Sequence, residues 1–429
     1  MKRRILLIAH HFPPCGGPNS LRWVRRIRHM GAHSEFDVLT VRHDKGVGTY
    51  ELNGESSIPQ NVKVHRTYPG PLYRFSYRHL PPDSSEDYSR RIGAKLRRSL
   101  KRFYRTALEG FLIPDKMIEW LPWGYAAAMK LVKERTYDAI ISSAFPFSDH
   151  VLAYLIKKKT GLPWIADYSD PWAFNAFSPF AWRRRVLDRR LEAGLLKHMD
   201  AVVLTTRETE ESYKVHYPFL DQGKLINIPN GYDEKEFAGV VPERGDGFRI
   251  VYTGFFYKGR GPEVLFESLT KLDFDFELVI AGDVPSDCVE GVRRMGLAGR
   301  VKFLGHCPHA RALSLQKGAD VLLLMGWAKG QQVPAKLYEY FCAGRPILAI
   351  CADAEDIAAG MVETHHRGLV ARNQSDAIAA AIKEFHDLWR GKALESRFDL
   401  RELREYSVGV QSERLKELIE KVVSVKRLE

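Results

Sequence analysis

The sequence predicts an α/β protein of two Rossmann-like lobes, each a doubly wound parallel sheet. Three observations carry that expectation. Short continuous apolar runs recur along the chain, helix-like stretches separate them, and a polar Gly/Pro segment at 241–247 divides the series in two. A chain of 429 residues suffices for two or three domains with cores of their own. Hydrophobic residues at 45% and charged residues at 28% are ordinary globular values and exclude global disorder.

The first run, Ile5-Leu6-Leu7-Ile8-Ala9, is too short for a secretory signal and reads as a buried strand. It breaks at Phe12-Pro13-Pro14-Cys15-Gly16-Gly17, and a helix is expected from Asn19-Ser20. Further strands are expected at 36–41, 139–142, 164–167 and 201–204, then at 249–253, 276–281, 301–304, 321–324 and 347–350. This places an N-terminal lobe at 1–241 and a second at 248–405. A C-terminal helix at 406–429 repeats Leu415, Leu418, Ile419, Val422 and Val423 at helical spacing, and could pack on either lobe. Two such lobes predict a ligand cleft between the carboxyl ends of their strands.

No stretch approaches the roughly 18 apolar residues of a membrane span. The five cysteines are scattered, with no CxxC pair and no Cys/His cluster at metal spacing, so a reduced, cytoplasmic protein without structural zinc is expected. The net charge of +12 favours an anionic partner. Eight of the basic residues fall between Arg90 and Arg105 without an acid among them, while Ile92, Leu96, Leu100 and Phe103 share one helical face. This basic amphipathic insert, near 90–108, reads either as a peripheral contact with an anionic membrane surface or as a solvated face over the core. No nucleic-acid-binding module accompanies it, so nucleic acid is not an expected partner.

Several residues could carry chemistry. Gly16 and Gly17, between strand and helix, either cradle an anion or make an ordinary tight turn. GxGxxG and GxxxxGK[ST] are both absent, which counts against nicotinamide or flavin enzymes and P-loop ATPases. His150 and Asp170 follow consecutive strands. His150 suits contact with a sugar or acceptor, or a structural hydrogen bond; Asp170 suits a hydroxyl, or a turn before proline. Gly254 ends a strand, and Arg260 stands between glycines before a helix, where a cation could neutralise a diphosphate. Lys336 and Glu339 share a helix face, either as a surface salt bridge or as a phosphate and ribose-diol pair. Asp273-Phe274-Asp275 reads as the exposed start of a strand, and no metal site is expected.

Together these motifs resemble the family 4 glycosyltransferases, which use the two-lobed GT-B fold. The resemblance spans nearly the whole chain. It rests on Ile-Ala-His-His-Phe-Pro-Pro-Cys-Gly-Gly, on the Ser-Ser-x-Pro-Phe-Ser-x-His segment ending at His150, and on Asp-Tyr-Ser-Asp-Pro-Trp at 167–172. Further marks are Pro229-Asn230-Gly231-Tyr232-Asp233, Tyr-Thr-Gly at 252–254, and Lys336-Leu-Tyr-Glu339-Tyr before Ala-Gly-Arg-Pro. The resemblance implies metal-independent transfer of a sugar, with retention, from a nucleotide-diphosphate sugar to a lipid-linked or oligosaccharide acceptor. It implies work on the cytoplasmic face of a membrane in bacterial polysaccharide assembly, with no cofactor. It assigns His150, Asp170, Arg260 and Lys336 to catalysis, and Gly16, Gly17, Gln331, Glu339, Asn230 and Gly254 to the donor. Two positions depart from the family pattern: Phe255 stands where the family has an arginine, and Gln331 where it has a glutamate. An epimerase or inverting transferase of the same fold, and a catalytically silent binding protein, are the alternatives.

Overall fold

The computed structural model describes residues 2–15, 17–42, 58–71, 112–175, 182–256, 261–326, 332–353 and 355–428. The basic insert near 90–108 and positions Gly16, Arg260 and Gln331 lie outside them. Two compact units are present. One comprises Met1–Pro229 with Ser412–Glu429, the other Asn230–Gln411.

In the first unit the described strands are β1 (Arg3–Ile8), β2 (Ser34–Val41), β3 (Lys63–Thr67), β4 (Ala139–Ala144), β5 (Trp164–Tyr168), β6 (Ala201–Leu204) and β7 (Leu225–Asn227). They pair in parallel in the order β3-β2-β1-β4-β5-β6-β7. Alternate residues of β1 feed opposite faces, as the pleat requires. Leu6 and Ile8 join a core with the helices Leu121–Glu134, Ser148–Thr160 and Trp182–Leu196. Ile5 and Leu7 join Trp23, Val24 and Ile27 of the helix Pro18–Met30 on the other face. That second face is completed by Leu415, Leu418 and Ile419 of the last helix, Val408–Leu428. Arg3 Nη2 meets Glu420 Oε2 at 2.6 Å, fastening that helix beside the start of β1.

In the second unit the strands are β8 (Arg249–Thr253), β9 (Glu277–Ala281), β10 (Val301–Gly305), β11 (Val321–Met325), β12 (Ile347–Cys351) and β13 (Gly368–Arg372), parallel in the order β10-β9-β8-β11-β12-β13. The helices Glu263–Leu269 and Ser375–Arg390 pack on one face. His309–Gly318, Ala335–Ala343 and Ile357–Thr364 pack on the other.

The units divide at Pro229/Asn230, ahead of the Gly/Pro segment at 241–247 expected as the linker. That segment is fastened inside the second unit: Glu243 N donates to Ser314 O at 3.0 Å, and Arg311 pairs with the Glu243 carboxylate at 3.1 Å. Its polar composition marks an exposed lead into β8. Among the described residues no helix is long and apolar enough to cross a membrane.

Leu415 is fully buried against the sheet. Leu415→Ala should cost about 2–5 kcal/mol of first-unit stability. A lowered denaturation midpoint for the first unit's transition is the expected readout, and an unshifted one would show that the last helix only lies on the surface.

Candidate active site

In open parallel sheets ligands bind beyond the carboxyl ends of the strands, where the strand order reverses. The reversals here lie between β1 and β4 in the first unit and between β8 and β11 in the second.

In the second unit, β8, β9 and β10 end in glycines with positive φ: Gly254 at 131°, Gly282 at 149° and Gly305 at 63°. A β-carbon on Gly282 would strike the carbonyl oxygen of Gly254, and one on Gly254 would strike the Lys336 ammonium. Only glycine allows these approaches. Lys336 stands in the first turn of the helix Ala335–Ala343, with its Nζ 4.0 Å from the centroid of the Tyr252 ring. Tyr252 in turn stacks on Phe256 at 4.6 Å and donates to Phe255 O at 2.9 Å. One turn after Lys336, Glu339 is half-buried and accepts from Gln316 Nε2 at 3.3 Å. Gln316 also donates to Thr253 Oγ1 at 3.0 Å, while Tyr340 OH lies 3.2 Å from Thr253 N. A cation and a carboxylate are thus set on one helix face above the strand end. The segment after Asn230 leads into the helix Glu234–Phe237, capped by Asp233, which packs against the Lys336 helix. Gly254, Lys336 and Glu339 are brought together, with the Asn230 segment beside their helix.

In the first unit, Gly17 has φ 120° and precedes the helix Pro18–Met30, and an added β-carbon there would meet open space. Asn19 sews this turn to the neighbouring strand ends. Its Nδ2 donates to Ala144 O at 3.3 Å, and its Oδ1 accepts from Ser169 Oγ at 2.6 Å. Thr205 Oγ1 donates to Ser169 O at 3.0 Å, extending the stitch to β6. Asp170 follows Ser169. Burial raises its carboxyl, and the nearby Arg22 guanidinium acts against that rise. Arg22 is itself buried, 2.5 Å from Asp167 Oδ2, and burial lowers its guanidinium to about 10. Arg26 meets the other Asp167 oxygen at 3.2 Å.

His150 lies beneath this rim, not on it. It is 0% exposed, so in this conformation no ligand reaches it. Trp164 Nε1 donates to Ser142 Oγ at 2.7 Å, and that hydroxyl shares a 2.7 Å hydrogen bond with His150 Nδ1. Burial lowers the imidazole to about 3, so it stays neutral. Its ring lies 4.4 Å from that of Tyr168, just before the Asp170 turn. The fully buried Glu192 holds the far side of the same turn. It accepts from Tyr213 OH at 2.5 Å, Tyr217 OH at 2.7 Å and Ala173 N at 3.1 Å.

The profile described as Glycosyltransferase Family 4 matches residues 102–236, and that described as Glycosyl transferases group 1 matches residues 247–387. Together they cover more than half of the chain. The chain belongs to the GT-B glycosyltransferases. Sucrose-phosphate synthase from Thermosynechococcus elongatus superposes at TM-score 0.70 and 17% identity, over 99% of this chain and all of that one. Anabaena HepE, solved with UDP, superposes at 0.66 and 14%, over 98% and 100%. WaaG, a glycosyltransferase involved in lipopolysaccharide biosynthesis, superposes at 0.57 and 15%, over 97% and 99%. No curated protein matches by sequence.

Several residues that shape the transferase's site carry no motif. Gln316 sits in the helix His309–Gly318, and Arg22, Asn19 and Glu192 sit within helices or at their starts. Nothing in their spacing separates them from surface residues. Asp167 and Ser169 fell inside the Asp-Tyr-Ser-Asp-Pro-Trp motif, where Asp170 alone was singled out. Among the described residues no cluster of three or more His, Cys, Asp or Glu could hold a metal.

Burial pushes the Glu192 carboxyl from 4.5 up to about 7. The folded transferase therefore binds this proton more tightly than the unfolded chain. The associated stability is fully present below about pH 4.5 and lost as pH rises through about 7, up to about 3 kcal/mol. Unfolding profiles of wild type and Glu192→Gln should diverge across this window. Parallel profiles would show that the two tyrosines already compensate the ionised form.

Proposed function

We propose that the protein is a retaining transferase that moves a sugar from a nucleoside-diphosphate sugar to a saccharide or lipid-linked acceptor. The acceptor would be met at the cytoplasmic face of a membrane, during assembly of a cell-surface polysaccharide. The observation that carries the reading is Lys336 and Glu339 on one helix face against the Gly254 strand end. A carboxylate at Glu339 can accept both hydroxyls of a ribose, and an ammonium at Lys336 can pair with a diphosphate. Anabaena HepE, of the same fold, was solved with UDP-glucose, which favours a uridine donor.

In this reading the second unit holds the donor, with Arg260 as the second cation and Gln331 on a sugar hydroxyl. As the glycosidic bond to phosphate breaks, negative charge grows on the departing oxygen. Lys336 and Arg260 stabilise that charge more than the ground state, which is what lowers the barrier. The acceptor hydroxyl attacks on the face the phosphate leaves, and the departing phosphate oxygen takes its proton. No metal takes part. In the first unit Asp170 is the group suited to orienting the acceptor hydroxyl. The neutral His150 acts from below, fixing Tyr168 and the turn that carries Asp170.

Titration calorimetry with nucleoside diphosphates, followed by NMR of the product anomer, tests this. UDP should bind, and the product linkage should keep the donor's anomeric configuration. Lys336→Ala should lower kcat/KM by about 10²–10³-fold, from a lost phosphate donor worth about 2–4 kcal/mol. Glu339→Gln should weaken binding of the nucleoside diphosphate itself. An inverted product would reject the mechanism, and the absence of any nucleoside-diphosphate binding would reject the function.

A further inference from the structure

The helix Trp182–Leu196 presents no acidic side chain to solvent. Its two acids, Asp188 and Glu192, are both buried. Asp188 is paired with buried Arg184 Nε at 3.0 Å, and Glu192 holds the tyrosine hydroxyls described above. Arg183, Arg185, Arg189 and Arg190 are exposed, and so is Lys197 just past the helix end. Large apolar side chains stand exposed among these cations. Trp182 is 70% exposed, Leu187 47% and Val186 39%. The same character continues onto the next segment, where Lys197 Nζ lies 5.3 Å from the ring centroid of Phe219, itself 48% exposed.

An ordinary solvated helix mixes both signs of charge on its outer face and keeps large apolar groups off it. Here the acids have been turned inward, and cations and apolar groups share the outside. We propose that this face docks on an anionic lipid bilayer. The arginines and Lys197 would sit at the headgroup phosphates, their apolar stems along the interface. Trp182 suits the headgroup level, where an amphipathic ring is at home. Val186 and Leu187 would enter the acyl boundary. A soluble polyanion would satisfy the cations but leave Trp182 and Leu187 in water, so a lipid surface fits the whole patch better. The inference deepens the acceptor side of the function proposed above, yet is measured without donor or acceptor. Its failure leaves the transferase reading standing.

The test is co-sedimentation of the full chain with vesicles of phosphatidylcholine and phosphatidylglycerol at 7:3, against phosphatidylcholine alone. The wild type should bind the anionic vesicles and lose them as salt rises. Arg183→Gln combined with Arg190→Gln and Lys197→Gln should weaken binding about 100-fold, at about fivefold per cation. Trp182→Ala with Leu187→Ser should weaken it about tenfold. Unchanged melting curves confirm that both variants fold. Wild-type binding by the triple variant would assign the membrane to another surface, such as the basic segment 90–108, and overturn the proposal. Equal binding to phosphatidylcholine alone would overturn it too. So would binding to polyglutamate or DNA that matches vesicle binding and is indifferent to Trp182→Ala with Leu187→Ser.

Discussion

A β-carbon at Gly282 would fall on the carbonyl oxygen of Gly254, and one at Gly254 would fall on the ammonium of Lys336. Because neither exists, the ends of β8 and β9 close to main-chain distance and a charged side chain rests directly on backbone. The Tyr252 ring receives that ammonium over its π face, a favourable seat for a cation. Beneath it, Thr253, Gln316 and Tyr340 form a hydrogen-bonded floor that fixes the height of Glu339. Catalytic geometry must hold to within a fraction of an ångström, and short contacts between a strand end and a helix start supply that precision better than loops do.

The first unit reaches the same end by different means. Its rim is sewn by Asn19, Ser169 and Thr205, three small polar side chains reaching neighbouring carbonyls. Below the rim it buries ionisable groups: Asp167 between Arg22 and Arg26, and Glu192 beneath two tyrosines. Buried ionic groups add little net stability but define one arrangement sharply, because any other leaves a charge unpaired in a low dielectric. His150 belongs to this understructure. It is fully buried, and its contacts here are with Ser142 and Tyr168.

Central strands were legible in the sequence because they are buried on both faces and read as unbroken apolar runs; β1, β4, β8, β11 and β12 all appear at their expected places. The strands left unread were β3, β7 and β13, and all three lie at sheet edges. Lys63-Val64-His65-Arg66-Thr67 is half-exposed along most of its length, so its composition is that of a loop. The division between units was misplaced for a related reason. Polar Gly/Pro composition reports exposure, and the lead into β8 is exposed without being a boundary. At the site, Gly254, Lys336 and Glu339 were visible because glycine and charge at fixed spacing leave a trace. Gln316 and Arg22 were invisible because a helical glutamine or arginine looks the same whether it faces water or a buried acceptor.

The second unit is inserted within the first, since the chain returns after Gln411 to lay its last helix on the opening sheet. During synthesis the strands of the first unit therefore emerge with one face of their sheet only partly covered, by the helix Pro18–Met30. They wait in that condition while the ribosome completes a whole second fold. The face receives Leu415, Leu418 and Ile419 only after the second unit has been made. A polypeptide released before this helix would carry an intact second unit joined to a sheet whose hydrophobic face stays partly open to water and to other chains.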